Sequence, residues 1–285
     1  MKKFLIKNLT FVSIFIIIFY LKPCYLLFSN NFKNTVAGNE VYISLDKSKD
    51  SSNCKILILG DSVGNQIFSN TCENDTINSL ACNQAIGIVG HYLLLNNYIN
   101  TGNTPESVFL VYTPFSFLNN LNQKYTFHYF LKPFNTNEYS DLFTQTVHDQ
   151  ITKIPYFWLS QEPYILTSNW SPNYESDKEI NYTFLSPISK EYITKMKQLC
   201  LENKIDFHII PTPTRISNKK RVLNLDKDEF QGLNIEYELN QYLNSIVYKD
   251  DSLYIDDVHL KYPQKFKSPL LNLMNQFSSF DNSIQ

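Results

Sequence analysis

The sequence predicts an α/β fold: a parallel sheet with helices on both faces. Three observations carry this expectation. Short apolar runs without polar alternation recur as "CKILILG" (54–60), "SVFLVYTP" (107–114) and "IDFHIIPTP" (205–213), and runs of that kind suit strands buried on both faces. Each run closes on Gly or Pro, which ends a strand. Stretches with helical spacing separate the runs, and strand–helix alternation implies parallel strands joined by crossovers.

In chain order, Lys2, Lys3 and Lys7 precede the uncharged run "NLTFVSIFIIIFYL" (8–21), and Lys22-Pro23 interrupts it before "CYLLF". A basic start followed by an apolar run is an export signal. No small-residue cleavage site follows. Counting residues 4–28, with Lys7 and Lys22 snorkelling, gives a stretch long enough to anchor in a bilayer. The expected segment is 1–28, an uncleaved signal anchor, with the rest of the chain outside the cytoplasm and the protein a single-pass protein of the cell membrane. A lysine and a proline before Cys24 do not suit lipoprotein processing. Residues 29–53, rich in Ser, Asn, Lys and Asp, read as a linker, and 54–285 as the folded domain.

Within that domain "CKILILG" is the first strand and Ser62–Phe68 a short helix. "INSLACN" (77–83) reads as the second strand. "GIVGHYLLLNNYI" (87–99) reads as a helix with Val89, Leu93, Leu94 and Ile99 near helical spacing. "SVFLVYTP" is the third strand. Residues 118–185 are crowded with Tyr, Phe, Asn and Pro and show weak periodicity. So long a stretch is not a structureless loop in a folded domain, and an inserted lid with short helices is expected, one of them over Ser140–Ile151. "SPISKEYITKMKQLCLENK" (186–204) has Ser186 as N-cap, Pro187 at the first helical position and Ile193, Met196 and Leu199 as an apolar stripe. "IDFHIIPTP" is a further buried strand. "SLYIDDVHL" (252–260) reads as a short final strand running into a loop, and a helix near Ser268–Gln276 follows.

The formal net charge of −2 on 285 residues, with no basic block, argues against nucleic acid as a partner. Of the five cysteines, Cys24 lies in the anchor and the other four have no metal-ligand spacing. No metal or cofactor is expected, and Cys72 with Cys82 is the pair an oxidising compartment would join.

The chemistry-bearing residues lie where a parallel sheet gathers ligands, beyond the carboxyl ends of its strands. Gly60-Asp61-Ser62 breaks the first strand. A serine there offers an exposed hydroxyl beside its own N–H, a place to build a nucleophile with an oxyanion donor; the plainer reading is that Asp61 or Ser62 caps the helix. In "YIDDVHL", Asp256 stands three residues before His259. One turn lets that carboxylate orient the imidazole while the other ring nitrogen faces Ser62; the plainer reading is an exposed loop histidine. Arg215, after the strand ending "PTPTR", suits an anionic group, or is a surface arginine beside Lys219, Lys220 and Arg221. Trp158 and Trp170 offer stacking surface for a sugar, or belong to the interior of the lid.

"GDSV" at Gly60–Val63 and "DDVH" at Asp256–His259 resemble the first and last blocks of the SGNH, or GDSL, hydrolase superfamily. The likeness covers about residues 54–265 as an order of elements. It implies a flavodoxin-like three-layer α/β/α sandwich with Ser62 as nucleophile, His259 as general base and Asp256 as its orienting partner; Asp257, two residues before the histidine, is the poorer orienter. In the family a glycine N–H after the second strand and an asparagine in a turn after the third complete the oxyanion hole. Gly87 in "NQAIG" fills the first place, with Gly90 as second choice. The third block departs from the pattern: it reads "YTPFSFLNN" (112–120), so Thr113 or Ser116 substitutes, or Asn119 reaches in from further along. That departure, the anchor and "PTPTR" are similar to the envelope members of the superfamily, the alginate O-acetyltransferase type and the membrane-anchored proteins of teichoic-acid D-alanylation. The resemblance implies a serine esterase or O-acyltransferase acting on acyl groups of an extracytoplasmic polysaccharide, with a glycan or acyl-sugar as substrate and a membrane protein as acyl donor. The alternative is a membrane-tethered glycan-binding or assembly protein on the same fold with little or no turnover.

Overall fold

A computed structural model describes residues 1–71, 76–174 and 181–281, with side chains as far as 277. Helix α1 (Lys2–Ser29) is long and apolar enough to cross a membrane. After a short turn comes α2 (Asn39–Ser48), then β1 (Ile56–Gly60), α3 (Ser62–Ile67), β2 (Ile77–Ser79), α4 (Gly87–Asn100) and β3 (Ser107–Tyr112). The middle of the chain contributes α5 (Lys132–Phe134), α6 (Gln145–Ile151) and α7 (Pro163–Leu166), separated by tight turns. There follow α8 (Pro187–Glu202), β4 (Asp206–Pro211), β5 (Thr214–Arg215), α9 (Lys219–Leu223), α10 (Glu236–Asn244), β6 (Tyr248–Lys249) and α11 (Gln264–Asp281).

Four strands form one parallel sheet in the order β2-β1-β3-β4. Its register sets Gly60 beside Val111 and Val111 beside Ile210. Successive residues of a strand face opposite ways, and the core divides accordingly. Leu57, Leu59, Val108, Leu110 and Ile209 join a large cluster with α4 and α8, whereas Ile58, Phe109, Val111 and Ile210 join a second with α3 and α11. The continuous apolar runs of β1, β3 and β4 are what burial on both faces demands.

Several elements differ from the sequence expectation. Residues 29–53 are not an open linker: Val41 and Leu45 of α2 enter the main core. A few apolar residues in a polar stretch suffice, because helical spacing puts Val41 and Leu45 on one face. The expected lid stretch, 118–185, contributes to the main core. Phe127, Phe130, Leu131, Phe134, Phe143 and Val147 belong to the same cluster as the sheet, and the expected helix over 140–151 is a turn at Ser140–Leu142 followed by α6. "SLYIDDVHL" is no strand of the sheet. A turn at Asp251–Leu253 leads into a loop closed by one antiparallel bridge, Tyr254 to Leu260. Cys82 is a buried free thiol, and Cys72 lies outside the described residues.

Candidate active site

The site is assembled at the carboxyl end of β1. A Cβ placed on Gly60 would lie 2.6 Å from the carbonyl oxygen of Val111, and one on Gly64 would lie 2.8 Å from the same atom. The first turn of α3 therefore passes against β3 with no room for a side chain at either position.

Asp61, between them, is almost completely buried and each of its oxygens is in use. Oδ1 accepts from the N–H groups of Val63 at 3.0 Å and Gly64 at 3.1 Å, which caps α3. Oδ2 accepts from the Thr113 N–H at 2.7 Å and the Ser116 hydroxyl at 2.8 Å. Asp61 thus joins the start of α3 to the turn after β3. The helix cap is supplied by Asp61, and the hydroxyl of Ser62 is left for another partner.

That partner is His259, whose Nε2 lies 2.9 Å from Ser62 Oγ. Its Nδ1 lies 2.7 Å from Asp256 Oδ2. A carboxylate only accepts hydrogen bonds, so the proton sits on Nδ1 and Nε2 is the acceptor for the serine hydroxyl. The loop is shaped by Asp256 itself, whose Oδ1 accepts from the N–H groups of Val258 at 2.9 Å and His259 at 2.8 Å. This local turn competes with extended pairing, and it is why no strand forms here. Partial desolvation pushes the Asp256 carboxyl up, but these two N–H groups and the imidazole together outweigh it and hold the group down at about 2.

Arg215 braces the same loop from outside. Its guanidinium donates to the Asp256 carbonyl at 3.1 Å, to Asp257 at 3.0 Å and to Asp251 at 3.1 Å. The hydrogen bond it donates to Asp251 raises its pKa, and the Asp251 carboxyl is lowered in turn by the same bond. Its guanidinium is thus engaged by three protein oxygens. Asp257, the other acid of the pair, meets Arg215.

Of the oxyanion candidates, Gly87, Ser116 and Asn119 are engaged within the protein. The Gly87 N–H donates to the Gln84 carbonyl, and Asn119 Nδ2 donates to that same oxygen at 2.6 Å. Ser116 Oγ lies 2.8 Å from Asp61, 2.9 Å from Gln84 Oε1 and 2.7 Å from Thr113 Oγ1. Gly87 has φ +61°, a backbone region that favours glycine, and it turns the chain into α4. The Ser62 N–H has no protein partner among the described residues.

Trp158 and Trp170 do not gather around Ser62. Trp170 meets Phe127 and Tyr156 edge-on, and Trp158 is largely exposed; both flank α7, which contacts α1.

Two residues carry more than the sequence suggested. Gln84 ties the turns after β2 and β3 together through its main-chain and side-chain oxygens. Arg221 lies with its guanidinium 3.9 Å from the centre of the Phe115 ring, beside a cavity of about 610 Å³ that Lys220, Ser217 and Tyr182 also line. The one available signal was the Lys219-Lys220-Arg221 run itself. No family model, curated protein or solved structure matches the chain.

Proposed function

We infer that this chain is a serine-dependent esterase or O-acyltransferase acting on acyl groups of extracytoplasmic polysaccharide, anchored in the membrane by α1. The fold reading that goes with it is the three-layer α/β/α sandwich of the SGNH hydrolases, supported by the two clusters on opposite faces of the sheet. The observation that carries the reading is the relay Ser62–His259–Asp256, at 2.9 and 2.7 Å, in a serine that is not the helix cap.

In this mechanism Ser62 Oγ attacks the acyl carbonyl as its proton passes to His259 Nε2. Asp256 holds the ring and stabilises the imidazolium. The Ser62 N–H donates to the developing oxyanion. Collapse of the tetrahedral intermediate returns the proton to the departing sugar oxygen and leaves acyl-Ser62. Water or a second sugar hydroxyl, deprotonated by His259, then takes the acyl group and regenerates the serine. The cavity lined by Leu118 and Ser217, with Lys220 and Arg221 on its wall, favours an acylated glycan that carries negative charge.

A second reading has one observation in its favour. Gly87 and Asn119 both donate to Gln84, and loss of one oxyanion donor costs about 10²–10³ in kcat. A glycan-binding protein on the same fold would look this way. A fluorophosphonate probe separates the two readings. The enzyme should be labelled on Ser62, and Ser62→Ala should abolish both the label and acetate release from an acetylated anionic glycan. A folded wild-type chain with neither label nor turnover would replace the enzyme with the binding protein.

A further inference from the structure

We propose that residues 156–170 form a membrane-seating surface: their aromatic face lies in the outer headgroup region of the bilayer, so the domain rests on lipid as well as being tethered to it. The proposal rests on the reading of α1 as a transmembrane anchor.

The geometry starts from α1. The rings of Phe19 and Tyr164 stack at 5.0 Å with an interplanar angle of 21°. Phe19 belongs to the uncharged run that ends at Leu21, three residues before Lys22. At about 1.5 Å of rise per residue, it sits roughly 4.5 Å inside the level of that lysine. A helix that crosses the bilayer with Lys22 at its outer boundary puts Phe19 at the edge of the acyl chains. Whatever stacks on the side of Phe19 is at that depth too, and that is Tyr164. A second observation fixes the direction. Leu166, the last residue of α7, packs against the cluster of Phe32, Val36 and Tyr42, and so do Leu26 and Leu27 at the outer end of α1.

The surface around this contact has the composition of an interface. Trp158 is 63% exposed, Tyr156 56%, Tyr164 48% and Trp170 40%. Tyr25 and Phe28 of α1 are exposed at the same end. Among residues 156–170 the sole charged side chain is Glu162. Isolated exposed apolar residues need no explanation, but a cluster of large aromatics in a nearly uncharged stretch does. Trp and Tyr, with an apolar body and one polar edge, are the side chains that concentrate between acyl chains and water.

The patch is also held rather than loose. The buried Lys132 donates from Nζ to the Ser168 carbonyl at 2.6 Å, and Asn169 Oδ1 accepts from the Ala37 N–H at 2.7 Å. Both bonds tie the end of α7 to the body of the domain. Seating on lipid through a fixed patch limits the domain's rotation about α1, which a tether alone would not.

Trp158 and Trp170 are the chain's two tryptophans, so intrinsic fluorescence reports on this patch alone. The full chain would be reconstituted in phosphatidylcholine–phosphatidylglycerol vesicles, some carrying acyl chains brominated near the headgroup. Flotation after an alkaline wash tests the anchor independently. The expected result is co-flotation, at least about twofold loss of emission with brominated lipid, and weak quenching by aqueous iodide. Trp158→Phe and Trp170→Phe assign the loss to each position. Co-flotation with strong iodide quenching and no effect of bromine would leave the anchor standing and overturn the seating, exposing the patch to water where a sugar could stack. Resistance to both quenchers would overturn it as well, since a second protein surface would then cover the patch. Failure to float would remove the anchor, and the proposal with it.

Discussion

Ser62 and Asp61 are neighbours with opposite expected phenotypes, and the structure sets the size of the difference. Asp61→Ala removes the cap of α3, a loss of about 0.5–2 kcal/mol. It also leaves the buried Thr113 N–H, now 2.7 Å from a carboxylate oxygen, without an acceptor, a further ~1–3 kcal/mol. The Ser116 hydroxyl adds little, because Gln84 Oε1 stands 2.9 Å away and can take its proton. The sum is about 1.5–5 kcal/mol, and at ~2–4 °C per kcal/mol for a domain of this size the melting temperature should fall by ~3–20 °C. Asp61→Asn should lie between this variant and wild type. Its oxygen can keep the Val63 and Gly64 N–H groups, but its amide nitrogen would face the Thr113 N–H, donor against donor. Ser62→Ala removes only the bond to His259 and should stay within ~0.5 kcal/mol of wild type. Activity should rank differently: Ser62→Ala abolishes turnover and fluorophosphonate labelling, while a folded Asp61→Asn retains part of both. Far-UV circular dichroism melts of the full chain in detergent, run beside labelling and release of nitrophenol from a short acyl ester, make the comparison. If Ser62→Ala melts as low as Asp61→Ala, or if it keeps wild-type turnover, the serine belongs to the scaffold and is not a nucleophile.

Three further outcomes are expected. Ser62→Ala, His259→Ala and the double variant should each lose about 10³-fold or more of ester turnover, the double being little worse than either single; additive losses would mean that the two residues do not act as a unit. Arg215→Ala releases the Asp256 loop and should lower kcat by about 10–100-fold while KM changes little. Arg215→Lys should restore only part of the rate, since one ammonium cannot replace a fork spanning Asp251 and Asp257, and a rise in KM with kcat unchanged would instead place Arg215 on the substrate. Asp256 has its folded pKa held at about 2, below the ordinary 3.8, so its ionised form stabilises the native state. That contribution is complete above about pH 5 and is lost as pH falls through 3.8 toward 2. Denaturant midpoints measured across this window should converge for wild type and Asp256→Asn as the solution becomes acidic, and divergence on acidification would contradict the sign.

Much of the sheet is legible in the sequence because burial on both faces removes alternation. β1, β3 and β4 stand out as apolar runs closed by Gly or Pro, and α8 announces itself with Ser186, whose hydroxyl accepts from the Ser189 N–H, and with Pro187. Elements stabilised mainly by tertiary contact are not legible. α2 has Val41, Tyr42, Ile43 and Leu45 among polar residues, and only its packing against the large cluster shows why it is ordered. The middle of the chain is similarly opaque, because short helices around Phe127, Phe130 and Phe134 have no room for a period to repeat. The final loop carries the composition of a short strand for a specific reason. Tyr254, Ile255, Val258 and Leu260 have β-forming side chains, but Asp256 offers the backbone a turn two and three residues ahead, and that local bond wins over pairing.

The turn after β3 is best understood through Asp61. Read as a sequence, "YTPFSF" lacks the asparagine expected of an oxyanion donor. In the folded chain two of its groups, the Thr113 N–H and the Ser116 hydroxyl, are the partners of Asp61 Oδ2, and Asp61 Oδ1 holds the first turn of α3. A buried carboxylate needs this degree of satisfaction to be tolerated at all. The turn therefore fixes the residue before Ser62, and through it the direction in which the serine hydroxyl leaves the sheet. Asn119, further along, holds the Gln84 carbonyl and so steadies the approach to Gly87. Ser116 shapes the corner through the Asp61 carboxylate, and Asn119 through the Gln84 carbonyl. A change at Ser116 or Asn119 should then act on activity through the orientation of Ser62, and Ser116→Ala should lower both labelling rate and melting temperature together. Loss of labelling in Ser116→Ala with an unchanged melt would argue instead that its hydroxyl reaches the reacting carbonyl directly.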